Sequence, residues 1–480
     1  MDLFRNFADD LRTGGLDALR AGLIGRDAVI DAGFGPQRML YADYVASGRA
    51  LAQVEDFIRH EVLPFYANSH TEASHCGGFM TRLREAARAE ILRMTGGDAA
   101  CHAVFAGSGA TAGINVIVSL LALAERVRAG QRVTVLLGPY EHHSNILPWR
   151  ESGARIVEIA EDARGGPDMA ALEEALKAAA GDDLIVGAFS ACSNVTGIVT
   201  DPDPVTRLLK AHGALAIWDY AGGGPYLPIA MTPAPDCAKD AVVLSPHKFP
   251  GGPGASGLLI LRDTVVHNAR PHRPGGGTVK FVSPWGHDYS DRVEAREEGG
   301  TPNVLGDIRA ALALLVKEAV GQEVITARDH ALRDRALAAW RDQPRLRLLG
   351  RAGDCAALPI FSFQVRDAQG GLVHHQLVTR MLSDFYGIQA RGGCACAGPY
   401  AHRLLGIDAA RSAALRDAIQ EGAEMDKPGW VRLNLSYLHS EDEVARILWA
   451  VPDLAGRAED LAAAYAGDAR TARFSLRRSA

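Results

Sequence analysis

Four sets of side chains in this 480-residue chain could do chemistry: Lys248, the adjacent His142 and His143, Asp219, and the near neighbours Cys394 and Cys396. Lys248 stands in Ser-Pro-His-Lys-Phe-Pro-Gly-Gly-Pro-Gly, residues 245–254, between the apolar runs 241–244 and 257–261, which read as buried strands. The prolines and glycines between those runs forbid a regular helix, so the lysine sits on a rigid turn with Ser245 and His247 beside it. Burial or a cationic neighbour shifts lysine toward the neutral amine, which forms Schiff bases. The plain alternative is a solvated loop lysine. Against it, no lysine precedes Lys177, and arginine is the ordinary cation of the first third of the chain.

The other sets stand at the ends of apolar runs. Phe105–Asn115 turns from a short strand through Gly107, Ser108 and Gly109 into an apolar helix carrying Thr111. Free backbone N–H groups and the positive end of the helix dipole favour an anion there, although a plain glycine-rich helix entry reads the same way. The strand 132–137 leads to Glu-His-His-Ser-Asn, residues 141–145, where an imidazole could lie on an aromatic ligand or move a proton, or could simply be solvated. Strand 183–189 precedes Asn194, and strand 214–219 ends in Asp219. Open α/β sheets place ligands at such strand ends, but an aspartate there can also cap a helix or a turn. The loop 387–400 carries Arg391, Cys394 and Cys396 among glycines. A metal pair, two structural cysteines and a reactive thiol all remain open for it. Arg432, in an apolar strand, suits a bidentate carboxylate contact or faces water. His70, His75 and Cys76 fit no standard zinc spacing.

These elements alternate strand and helix over a length that calls for two domains. The expected organisation is an N-terminal helical arm over 1–40, a large α/β domain over 41–320 and a smaller α/β domain over 321–480 that carries the cysteine loop. Within it, helices are expected over 3–23 with a break at Gly14 and Gly15, over 81–94 and over 409–424, strands near 360–365 and 431–436, and a frayed polar tail after Tyr465. A net charge of -6 gives no reason to expect a nucleic-acid partner. The best apolar run, 114–124, is short for a membrane span, and the first ten residues are not a secretory signal. Seven scattered cysteines fit a reducing, cytoplasmic setting.

Taken in order, Ser-x-His-Lys with its glycines, Glu-His-His-x-Asn, the strand-ending Asp219 and Arg-x-Gly-x-x-Cys-Ala at 391–397 resemble the class V aminotransferase and cysteine desulfurase family, in its group II form with a short cysteine loop. The resemblance implies the fold of the type I pyridoxal-phosphate transferases, with a large domain built on a mainly parallel seven-stranded sheet. It implies pyridoxal 5'-phosphate bound to Lys248, with its ring under His142 and its ring nitrogen on Asp219. Asn194, Ser108, Gly109, Thr111, Ser245 and His247 complete the cofactor set, and Thr278 would serve the partner's phosphate in a homodimer. Arg432, Arg391 and Asn194 would bind the amino-acid substrate. The implied reaction takes sulfur from L-cysteine onto Cys396, leaving alanine, for delivery to a sulfur-acceptor protein, with Cys394 as an extra thiol. The family's desulfurases carry Asp-x-Ala-Gln where this chain has Asp219-Tyr-Ala-Gly222, which keeps another amino-acid reaction of the same cofactor open: transamination, epimerisation or carbon–sulfur lysis.

Overall fold

In the computed structural model, which describes residues 2–69, 71–350 and 355–477, the chain divides into two compact units. The larger comprises Met1–Ile24, Ser47–Cys192 and Val199–Glu323; the smaller comprises Gly25–Ala46, Ser193–Ile198 and Val324–Ala480. The first forty residues are therefore shared: helix α1, Asp2–Ala21, belongs to the larger unit and the stretch after Ile24 to the smaller. Helix α1 bends at Gly15, whose left-handed φ of 66° interrupts it where the glycine pair predicts a break.

The larger unit is built on seven strands: β1 Cys101–Gly107, β2 Val133–Leu137, β3 Arg155–Glu158, β4 Leu184–Ser190, β5 Leu215–Asp219, β6 Ala241–Leu244 and β7 Gly257–Arg262. They pair in the order β1-β7-β6-β5-β4-β2-β3. Pairings from β3 through β6 are parallel, and β7 runs against both of its neighbours. Every residue of β2, β5 and β6 is buried, which is why these strands read as unbroken apolar runs rather than as an alternation. With β7 alone reversed, the carboxyl ends of β1, β2, β4, β5 and β6 lie along one edge of the sheet. Each candidate residue of this unit before residue 250 follows one of those ends.

Helix α2, His75–Met94, starts six residues earlier than the sequence suggests. Ser74 caps it by accepting from the Gly77 N–H at 3.2 Å, and Gly77 and Gly78 are sites of close packing inside its first turn. Helix α3, Gly109–Leu120, packs on β1, β6 and β7, with Gly113 against Val243 and Leu259 and with Ile114 and Ile117 buried. By length and composition, the stretch Gly109–Arg128 is long and apolar enough to cross a membrane. In the fold, Ala122 at φ 52° breaks that stretch, and its first half is a core helix of the sheet. A buried ionic cluster ties α2 to α4, Val304–Val320. Glu298 accepts from Arg84 Nη2 at 2.6 Å, from Arg88 Nη1 at 2.7 Å and from the Phe105 N–H at 2.8 Å, while Asp307 accepts from Arg84 Nε at 2.7 Å and Ser256 Oγ at 2.6 Å.

The smaller unit pairs β8 Leu346–Leu348, β9 Ile360–Arg366, β10 Arg391–Gly393 and β11 Trp430–Asn434 in the antiparallel order β8-β9-β11-β10. Its core gathers Trp340, Phe361, Phe363, Met381, Leu433 and Ile447. Residues 40–45 lie along this sheet: the Leu40 N–H donates to Gly387 O at 2.9 Å, Asn434 N–H to Ala42 O at 2.8 Å and Val45 N–H to Asn434 Oδ1 at 3.2 Å. The charged helix Ala409–Gln420 buries none of its residues. As far as the described residues run, to Arg477, the polar tail is not frayed: Tyr465–Asp468 and Arg473–Leu476 form a hairpin, because Phe474 and Leu476 pack on the core from between its arginines.

Candidate functional site

In the larger unit the lysine turn is fixed by backbone hydrogen bonds of 2.9 Å from Lys248 N–H to Ser245 O, from Phe249 N–H to Pro246 O and from Gly48 N–H to His247 O. Its glycines are there for close approach: a Cβ on Gly252 would stand 1.9 Å from Pro246 O. Gly252→Ala should therefore displace the turn, costing about 1–3 kcal/mol of stability and lowering activity, to be read by denaturant unfolding beside kcat. Lys248 and His247 are partly buried. Burial, and then the neighbouring Lys248, push the His247 imidazole down to about 4, so it is neutral near pH 7.

Beside this turn is the entry to α3. The Ser245 hydroxyl accepts from the Ala110 N–H at 3.0 Å, which ties the lysine turn to the helix start. Gly109 has φ +64°, and a Cβ there would meet Ser245 Oγ at 2.9 Å and His247 Cε1 at 3.1 Å. Gly107, Ser108 and Thr111 are exposed, and the Ser108 hydroxyl makes no cap bond to its own helix. The result is an open cradle of N–H and O–H donors at the positive end of a twelve-residue helix. Thr111 Oγ1 contacts Ser144 Oγ at 2.7 Å, and Ser144 Oγ contacts His142 Nδ1 at 3.0 Å. His142 Nδ1 also accepts the Ser144 N–H at 3.1 Å, which leaves the proton of the neutral ring on Nε2.

The floor is acidic. Asp219, at the end of β5, is buried and accepts from the Ala221 N–H at 2.7 Å. Burial raises its carboxyl above the ordinary range, while the Ala221 N–H and Lys248 pull it down. Glu141, the first residue of the Glu-His-His motif, is fully buried near it. It accepts from the Ser190 N–H at 2.7 Å, Ser190 Oγ at 2.6 Å and Asn145 Nδ2 at 2.5 Å, and burial pushes its carboxyl up to about 8. With Glu141 held neutral near pH 7 by burial, the carboxylate left to favour a cationic ligand atom in this floor is Asp219. The loop after Asp219 is held from α4, where the partly buried Lys317 donates to Gly224 O at 2.8 Å and to Leu227 O. Desolvation lowers that amine to about 7. Thr278 is buried and donates to Gly275 O at 2.7 Å within its own loop.

The smaller unit carries a second group of residues. Arg432 is buried, with Nη2 on Asp43 Oδ1 at 3.0 Å and Nη1 on Asn194 O at 3.0 Å. The other oxygen of Asp43 accepts from Nε of the exposed Arg391 at 3.0 Å, so one carboxylate bridges both guanidiniums. Sequence reasoning did not single out Asp43. Arg432 Nε and Asn194 Oδ1 are buried without hydrogen-bond partners among the described residues, leaving one donor and one acceptor for a ligand. The Asn194 amide reaches the cysteine loop: Nδ2 donates to Ala395 O at 2.7 Å. That loop is a turn closed by Ala397 N–H to Cys394 O at 3.3 Å, with Ala395 and Cys396 both at φ 53°. Two left-handed central residues define a type I′ turn, which ordinarily takes glycine or asparagine; with Cβ atoms each costs roughly 1–2 kcal/mol. Both thiols are exposed and free. Among the described residues no three of His, Cys, Asp and Glu are grouped to hold a metal. His75 and Cys76 lie in the first turn of α2, and His70 lies outside the described residues.

Comparison with known proteins gives these residues a family context. The family described as "Aminotransferase class-V" matches residues 40–446. A Vibrio cholerae protein named "Probable cysteine desulfurase" is 27% identical over 440 residues, covering 91% of this chain and 97% of its own. A Shigella flexneri cysteine desulfurase is 28% identical over 365 residues, covering 75% and 85%. Among solved structures, the cysteine desulfurase CsdA of Escherichia coli, in its S-sulfonic acid form, superposes with a TM-score of 0.70 at 23% identity, covering 92% of this chain and 99% of its own. The apo cysteine desulfurase of Thermococcus onnurineus gives 0.71 at 22%, covering 87% and 95%. At these identities the structural likeness speaks for the fold.

Proposed function

Since the chain belongs to the class V aminotransferase family, we propose that it is a pyridoxal-phosphate-dependent cysteine desulfurase, converting L-cysteine to L-alanine with the sulfur taken up by Cys396. The observation that carries the cofactor is the convergence, along one sheet edge, of the Ser108–Thr111 cradle, the desolvated Asp219 and the Lys248 turn. When bound, pyridoxal phosphate supplies an electron sink for charge developing beside the substrate amine.

The donors at the start of α3, with Ser108 and Thr111, hold the phosphate. Asp219 holds a proton on the ring nitrogen by charge. His142, steadied through Nδ1 by Ser144, stacks on the ring. Ser245 and His247 set the turn from which Lys248 Nζ anchors the cofactor and moves protons. The buried Arg432, braced by Asp43, offers Nε to the substrate carboxylate, with Arg391 at its rim and the Asn194 amide beside it. Cys396, on its strained exposed turn, accepts the sulfur. The assembly proposed is a homodimer, with the Thr278 loop serving its partner, and the sulfur passes to an acceptor protein.

Gly222, standing where the resemblance leads one to expect glutamine, favours a second reading: transamination, epimerisation or carbon–sulfur lysis on the same cofactor. Titration of the apoprotein with pyridoxal phosphate, followed by L-cysteine, tests both. Saturable cofactor binding, weakened roughly tenfold or more by Asp219→Asn through loss of a charge-assisted contact, and alanine formation are the expected results. Binding without alanine would leave the second reading standing.

A further inference from the structure

Nothing in the reaction as proposed requires Cys394, yet it shares the cysteine turn. Cys394 is the first residue of that turn and Cys396 the third. A turn this tight brings the Cα atoms of its first and third residues to about 5.5 Å, inside the range a disulfide spans. Both side chains are exposed, and the carbonyl between them is pinned by Asn194 Nδ2 at 2.7 Å. The two left-handed, non-glycine residues hold this geometry against their own preference, so the surroundings fix the turn rather than let it relax.

We propose that Cys394 is a resolving thiol that, when no acceptor protein takes the sulfur, discharges it from Cys396 as sulfide; the inference rests on the desulfurase reading. The Cys394 thiolate attacks Sγ of the Cys396 persulfide. The bond between Cys396 Sγ and its outer sulfur breaks as the Cys394–Cys396 disulfide forms, and the outer sulfur leaves as HS⁻. The outer sulfur is the oxidant: it gains the electron pair that the two cysteines lose, and the proton given up by Cys394 passes to solvent. A small exposed disulfide of this kind is labile, and a dithiol reductant returns both thiols for another turnover. Without one, the enzyme stops after a single turnover with sulfide free in solution.

The test uses full-length, cofactor-loaded protein, reduced, freed of reductant and given one equivalent of L-cysteine under anaerobic conditions. Alanine, free sulfide and the intact mass of the protein are measured together. The expected result for the unmodified chain is sulfide equal to alanine, with a mass lower by two hydrogens and the loss mapped to the peptide holding both cysteines. In Cys394→Ser, alanine still appears, free sulfide falls to the reagent background, and the protein gains the mass of one sulfur atom. Persulfide retained by the unmodified chain, or equal sulfide release from Cys394→Ser, would overturn the proposal while leaving alanine formation, and so the desulfurase reading, intact. Absence of alanine from both proteins would overturn that reading and the resolving role with it.

Discussion

Lys248→Ala is expected to abolish turnover, lowering kcat by roughly 10³-fold or more, the scale of a positioned proton-transfer group and above, and to leave a cofactor that desalting removes. Only Lys248 supplies an amine on the turn tied to the proposed phosphate cradle through Ser245 and Ala110. The turn stays in place in the variant, because its 2.9 Å bonds from Lys248 N–H, Phe249 N–H and Gly48 N–H are all main-chain. Circular dichroism and the unfolding midpoint should therefore hardly move while activity is lost. Lys248→Arg should fail almost as badly, since a guanidinium does not give up its proton near neutral pH and cannot make the covalent link. Turnover within tenfold of the unmodified chain in Lys248→Ala would remove the lysine from the mechanism.

The largest effect on stability is expected far from any chemistry. Glu298→Ala removes the carboxylate shared by the buried Arg84 and Arg88 and the acceptor of the Phe105 N–H. Two guanidiniums would be left in low dielectric with Asp307 as the remaining buried carboxylate partner of Arg84. Breaking a buried ion pair costs about 3–5 kcal/mol, and here two guanidiniums lose the partner they share, Arg84 keeping only Asp307 and Arg88 only the more exposed Glu85 as carboxylate partners among the described residues. Denaturant unfolding of Glu298→Ala should show a loss of that size, and because β1 leads into the proposed phosphate cradle, cofactor affinity should fall with it. The exposed pair of Arg128 and Glu125 on a short surface helix is the control, and Glu125→Ala should change stability by no more than about 0.5 kcal/mol. Equal effects at the two positions would mean that the buried cluster contributes nothing beyond its geometry.

The sequence carried the larger unit well because its central strands are buried on both faces and end beside the proposed site residues. Leu215–Asp219 and Ala241–Leu244 could be bounded within a residue, and the order of cradle, His142, Asp219 and Lys248 could be read directly. What escaped depends on pairing across long separations. Asp43 meets Arg432 across 389 residues, and Asn194 finds Ala395 across 201; neither distance leaves a trace in spacing. Glu141 was visible inside its motif, but its role follows from total burial against Ser190, which only the packed sheet reveals. The left-handed turn at Ala395 and Cys396 was hidden because neither residue signals positive φ. The start of the helix at His75 rather than at 81 also escaped, because Gly77 and Gly78, poor helix formers by propensity, are there for close packing inside its first turn. The terminal hairpin was missed because arginines dominate its composition while Phe474 and Leu476 supply the packing.

The central claim is that sulfur leaves L-cysteine through Cys396. The most direct measurement gives cofactor-loaded protein L-cysteine and quantifies alanine beside the sulfur recovered as persulfide and sulfide, for the unmodified chain and for Cys396→Ala. The account predicts equal alanine and sulfur from the unmodified chain and neither from the variant, with the cofactor equally bound in both. Cofactor bound without alanine, or a Cys396→Ala enzyme as active as its parent, would contradict it.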